Sequence, residues 1–179
     1  ANGPGVVNAT FDTIAANGNG EDGVYVGYLQ GGDGGVNLTM RNISAGEQVA
    51  GSGIAIDDVS ASGSGPISIV IDSVTASDNQ LDGIRLDSVQ GSAGAVDISL
   101  NNIIADGSVA GSGVSLDGIE TDGDVSLTLE SISAGNNKAR GISVNASSFD
   151  GDLSAAFKTI VASDNGDIGL NVELGAGEM

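Results

Sequence analysis

Apolar and polar residues alternate along several short stretches of this chain, as in "VNLTM" from 36, "ISIVI" from 67, "VDISL" from 96 and "VSLTL" from 125. A period of two is the signature of a strand with one face buried and the other wet. Helical spacing of apolar residues is absent. Between the alternating stretches lie Gly, Asn, Asp and Ser, as in "ASGSGP" and "QGSAGA", residues that accept positive φ or close turns through their side chains. The pattern predicts an all-β chain of short strands and tight turns.

The strands repeat. An apolar residue, two intervening residues that are mostly polar or small, and usually a second apolar residue recur twelve times, from "FDTI" at 11 and "VGYL" at 26 to "FKTI" at 157 and "VELG" at 172, with starts 13 to 16 residues apart. The copies are of two kinds, so the true period is about 30. One kind is followed by alanine (Ala16, Ala45, Ala76, Ala105, Ala134, Ala162), and the other is preceded by glycine (Gly23, Gly53, Gly83, Gly113, Gly141, Gly169). A fixed period of this length, made of strands, is a coil of stacked turns. Each residue then stands above its counterpart one turn earlier, at the ~4.8 Å strand spacing. Two walls are expected, one lined by Phe11, Met40, Ile71, Leu100, Leu129 and Phe157, the other by Val26, Ile56, Leu86, Leu116, Val144 and Val172. The glycines are expected at corners that a Cβ would crowd.

The stretches "VTASDNQLDGIRLDSV" (74–89) and "ISAGNNKARGISV" (132–144) resemble the turns of right-handed parallel β-helices of the pectate-lyase-like superfamily, which often read Asn, a few polar residues, then Gly-Ile-x-Leu. The resemblance spans nearly the whole chain, lies in pattern and implies one right-handed parallel β-helix of about six turns. It is closest in character to the non-catalytic solenoids of bacterial surface adhesins and passenger regions. The superfamily also includes polysaccharide lyases, hydrolases and phage tailspikes.

Composition narrows the chemistry. Phe and Tyr number five together, Trp is absent and Gly numbers 30, which suits a narrow interior of Val, Ile, Leu and Ala. With 24 acidic and 5 basic residues the net charge is −19, which repels phosphate backbones and anionic lipid, so no nucleic acid is expected as a partner. No apolar run approaches the ~20 residues of a membrane span, and membrane insertion is not expected. The absence of His and Cys removes the commonest general base and the commonest soft metal ligands. A carbohydrate-active β-helix needs convergent carboxylates, or a carboxylate and a base, beside a groove built from long loops. The five bases Arg41, Arg85, Lys138, Arg140 and Lys158 are scattered and no turn is lengthened by more than a residue or two. No catalytic residues are therefore assigned, and the chain is not expected to be an enzyme. Asp57 and Asp58 are adjacent, which in a strand would aim them at opposite faces.

Stacking gives the remaining polar positions their candidate roles. Beside the first apolar wall, Asp12, Arg41, Asp72, Asn101, Glu130 and Lys158 set each acid next to a base or an amide. The following column, with Asn42, Ser73, Asn102 and Ser131 between Thr13 and Thr159, is expected to form a hydrogen-bonded ladder along the axis. On the second wall Asp57, Asp87 and Asp117 stack with no base among them, tempered by Arg85 one position away. Such a column is either screened by solvent and salt or holds a cation, and oxygen-only ligands suit Ca²⁺. No cofactor is required by the sequence. The stretch "NGNGEDGVY" (17–25) resembles the RTX-type calcium repeat, with Asn17 in place of its first Gly and Asp22 at its acid position, but the corners of later turns do not repeat it. Sequons at Asn8, Asn37, Asn42 and Asn145 are possible glycosylation sites of a secreted protein. No wall carries the Thr-x-Thr array of an ice-binding solenoid.

The repeat runs from about residue 6 to 174 of a single domain covering 1–179, and the terminal "ANGPG" and "GAGEM" are too short to form caps. The chain starts at Ala1 rather than Met, as a processed or excised segment would. These features predict an extracellular or cell-surface structural solenoid, part of an adhesin or a self-assembling fibre, that meets another subunit end to end or continues a longer solenoid. The alternatives are a polysaccharide-binding or polysaccharide-cleaving β-helix, with glycans as partners, and a Ca²⁺-stabilised extracellular module.

Overall fold

The computed structural model describes residues 5–175 apart from Ser147, and these form a parallel β-solenoid of about six turns with no helix. Seventeen strands fall into three parallel sheets. The first sheet stacks the nine-residue strands β1 (Val7–Ala15), β4 (Val36–Ser44), β7 (Ile67–Thr75), β10 (Val96–Ile104), β13 (Val125–Ser133) and β16 (Leu153–Val161). The second stacks β2 (Val24–Val26), β5 (Ile54–Ile56), β8 (Ile84–Leu86), β11 (Val114–Leu116), β14 (Ile142–Ala146) and β17 (Leu170–Leu174). The third stacks β3 (Leu29–Gly31), β6 (Val59–Ala61), β9 (Val89–Gly91), β12 (Ile119–Thr121) and β15 (Ser148–Phe149). The third sheet begins at the last residue of the corner motif, as at Val59 of Ile56-Asp57-Asp58-Val59, and its residues read as part of the second wall, which is why the sequence pattern suggests two walls where the structure has three.

Register follows the apolar columns. Phe11 stands beside Met40, Met40 beside Ile71, Ile71 beside Leu100, Leu100 beside Leu129 and Leu129 beside Phe157. In the interior turns this column is fully buried, as are Ile56, Leu86, Leu116 and Val144 of the second sheet. At ~1.5–3 kcal/mol for each such side chain taken out of water, the seam is the main stabilising term of the rod. A slip by one residue would turn it outward.

The recurring pair between the two apolar residues of each motif marks a change of direction. In the first sheet, Thr13, Asn42, Ser73, Asn102, Ser131 and Thr159 all have φ between 52 and 58°. A left-handed residue inside the strand breaks the alternation, so it and the residue before it both face outward while Ile43, Val74, Ile103 and Ile132 return to the core. Asparagine tolerates this conformation better than Ser or Thr. In the second kind of motif the same spacing spans the corner between the second and third sheets, as in Ile56-Asp57-Asp58-Val59. Asp57 and Asp58 lie in that corner and not in a strand, both half-buried, so the expectation of opposite faces does not apply.

The polar ladder along the axis is formed by a different column from the one expected. Asn19, Gln48, Asn79, Ser108, Asn137 and Asn165 each follow the alanine of their turn by three residues, and Gln48, Asn79, Ser108 and Asn137 are buried. The backbone N–H of Asn19 donates to Gln48 Oε1 at 2.8 Å, that of Gln48 to Asn79 Oδ1 at 3.0 Å, that of Ser108 to Asn137 Oδ1 at 2.9 Å and that of Asn137 to Asn165 Oδ1 at 2.9 Å. Ser108 interrupts the series and donates its hydroxyl to Ser112 O at 3.1 Å. Immediately before each of these residues stands a second left-handed column, Gly18, Glu47, Asp78, Gly107, Asn136 and Asp164. The predicted ladder column is mostly exposed, and Asn42 and Asn102 donate instead to Asp12 Oδ1 (2.9 Å) and Asp72 Oδ1 (3.1 Å) of the preceding turn.

The glycine corners border the amide ladder. A Cβ at Gly113 would come to 2.5 Å from Ala105 O, 2.8 Å from Ala134 Cβ and 2.8 Å from Asn137 Nδ2. No rotation of a side chain relieves a contact with a backbone oxygen, so the position admits only glycine as the chain is placed.

Candidate functional site: the acidic corner and the open ends

The corner between the second and third sheets carries the stacked aspartates. Arg85, on β8, spans two turns: its Nη2 lies 3.0 Å from Asp57 Oδ1 and its Nη1 bonds Asp87 Oδ2. Asp57 also accepts the hydroxyl of Tyr25 at 2.6 Å, and Asp117 accepts that of Ser115 at 3.0 Å. One guanidinium therefore neutralises much of what would otherwise be a column of like charges. Among the described residues no three Asp or Glu side chains converge as a metal ion would need.

Protonation follows from this geometry. Burial, opposed by Arg85 and reinforced by Asp57 and Asp117, pushes the Asp87 carboxyl up. The hydrogen bond and the charge of Asp57 raise the Tyr25 phenol. Asp82, in the neighbouring corner, is raised mainly by burial even though its Oδ1 accepts the Ser112 N–H at 2.7 Å. Asp12 is lowered by its bonds from Asn42 and Thr13.

The calcium-like stretch 17–25 is a corner. Asn17 Oδ1 accepts the Gly46 N–H at 2.7 Å, Asn19 begins the amide ladder, and Asp22 Oδ1 accepts the Ser52 N–H at 2.7 Å. The side chains of Asn17 and Asp22 and the backbone of Asn19 are thus used to hold the next turn. Of the sequon asparagines, Asn8, Asn37 and Asn42 are exposed on β1 and β4, and Asn145 is half-buried on β14. Asn37 Nδ2 donates to Asn8 Oδ1 at 2.8 Å, so these two amides already stack in register.

The ends present the other candidate surface. In the first sheet β1 and β16 are the edge strands, and in the second β2 and β17, so one ladder of N–H and C=O groups on each has no strand partner among the described residues. Apolar columns that are fully buried inside the rod emerge at its last turn, where Leu170 is 39% and Val172 36% exposed. Phe11 and Phe157, at the two ends of one column, are half-buried against the core. Unpaired parallel edges with apolar flanks are templates for further strands.

Set against protein-family models, curated proteins and solved structures, the chain matches none. The class of protein is thus defined by its own geometry, a parallel β-solenoid.

Proposed function

We propose that this protein is a structural solenoid of the cell exterior, a segment of a surface adhesin or a subunit of a surface fibre, in which further solenoid turns pack on the ends of the rod. The observation that carries this reading is the pair of open edges in the first and second sheets, each flanked by apolar columns that the interior turns bury completely. The side chains inside the rod serve cohesion between turns, and Arg85 with its aspartates belongs to the same system of contacts from turn to turn. Electron microscopy of the purified chain is expected to reveal rods longer than the ~30 Å of six turns at the strand spacing. A uniform population of particles no longer than one subunit at high concentration overturns the proposal.

A second reading, glycan binding, is favoured by a shallow polar groove on the outer face of the third sheet, where Tyr28 lies with Gln30, Gln90 and Glu120. An exposed aromatic ring beside amides suits a neutral sugar face. Polysaccharide titration followed by Tyr fluorescence tests it, and Tyr28→Ala is expected to abolish any saturable signal.

A further inference from the structure

We infer that the partner at the ends is a second copy of this chain, stacked head to tail so that its first turn continues the last turn in the register the interior turns use. The inference rests on the structural reading above and adds to it a direction, a register and named contacts. Its ground is that the four-residue motifs of the two terminal strands of the first sheet match each other more closely than either matches the motif of any strand between them.

The matching motifs are "FDTI" at 11 and "FKTI" at 157. They share Phe, Thr and Ile and differ only at the second position, where Asp12 and Lys158 carry opposite charge. Continuing the observed register by one turn sets Lys158 beside Asp12 of the next copy, as Lys158 already stands beside Glu130 with Nζ 3.7 Å from Oε2. It also sets Phe157 beside Phe11. Phenylalanine appears in this column at the two ends alone, where the turns between carry Met40, Ile71, Leu100 and Leu129. Both are preceded at two residues by alanine, Ala9 and Ala155, where the turns between carry Leu38, Ile69, Ile98 and Leu127. A large ring beside a small side chain in both terminal turns conserves the volume of each layer, and stacking ring on ring at the strand spacing falls within the range at which aromatic pairs attract.

The buried ladder continues in the same direction. The backbone N–H groups of Asn19, Gln48, Ser108 and Asn137 each point to the side-chain oxygen of the following turn. The N–H of Asn165 thereby faces the place that Asn19 of the next copy would occupy. Asn19 and Asn165 are the two members of the column followed by glycine. In the second sheet Leu170 and Val172 come beside Val24 and Val26 of the next copy, which covers the apolar side chains the last turn leaves exposed.

The test is charge reversal in the full chain, with the association constant measured by sedimentation velocity over a concentration series at low salt and folding checked by circular dichroism. Lys158→Glu and Asp12→Lys are each expected to weaken association on the order of fivefold, the scale of exposed ion pairs and like-charge repulsion. In an equimolar mixture of the two single variants, junctions between unlike variants carry opposite charges, and the mixture is expected to associate more strongly than either variant alone. Association that neither reversal weakens, or that mixing does not strengthen, overturns the register and leaves the structural reading standing. A parent chain that remains monomeric throughout overturns both.

Discussion

At the scale of single residues, carboxylates act across turns. Asp82 Oδ1 accepts the Ser112 N–H of the next turn as Asp22 Oδ1 accepts that of Ser52, and Gly111 lies where a Cβ would approach Asp82 Oδ1 to 2.6 Å. Burial raises the Asp82 carboxyl. A carboxyl raised by folding favours the folded state at pH below its ordinary value, and that contribution is lost as pH rises through the folded value. At neutral pH the charge therefore costs stability while the accepted hydrogen bond contributes it. Asp82→Asn, which keeps the acceptor and removes the charge, is expected to melt at or above the parent temperature at pH 7 and to lose the part of the parent's gain on acidification that Asp82 supplies. Asp82→Ala leaves the Ser112 N–H without its acceptor and is expected to cost about 1–3 kcal/mol. Thermal melts between pH 4 and 7 measure both, and an Asn variant that melts well below the parent at pH 7 contradicts the account.

At the scale of elements, the turn is the unit. Val96 to Val125 is one register step, so deletion of residues 96–124 joins Ala95 to Val125 and returns the apolar columns to alignment. It also sets Asn79 directly against Asn137 and closes the gap that Ser108 makes in the amide ladder. Because turns contact only their neighbours, the shortened chain is expected to keep the parent's circular dichroism per residue and a cooperative melt. Removal of residues 67–81, about half a turn, places strands of one sheet over those of another and is expected to unfold the chain; equal behaviour of the two deletions would show that register does not govern stability. Much of this element level was legible beforehand, because the core needs only a period and an alternation. Two features were not. The third sheet begins inside the corner motif and reads as part of the second wall, and the left-handed column from Thr13 to Thr159 resembles any polar pair until φ is known.

At the scale of the whole molecule, 24 acids and 5 bases give a rod that repels itself along its length and repels its copies. The contacts that oppose this are local: Arg85 between Asp57 and Asp87, Lys158 with Glu130, and Arg140 with Asp167. Screening falls off over ~10 Å at 0.1 M salt, so the diffuse repulsion weakens with added salt while close pairs lose less. Melting temperature and the extent of end-to-end association are both expected to rise between about 10 and 150 mM NaCl. Calorimetry and sedimentation across that series check it, and a fall in either would mean that ion pairs outweigh net charge.

The sequence by itself determined the period, the apolar columns and the place of every alanine and glycine corner, since each follows from side-chain volume and polarity repeated at one spacing. Tertiary structure alone decided which polar column faces inward. Asn79 and Asn102 are both asparagines in a polar stretch, but the left-handed Asp78 turns the residue after it into the core, whereas Asn102 is itself left-handed and faces solvent. Tertiary structure also decided the role of the stacked aspartates. The reach of the Arg85 guanidinium across two turns depends on side-chain direction at a corner, and that is a property of the stack which no local pattern carries.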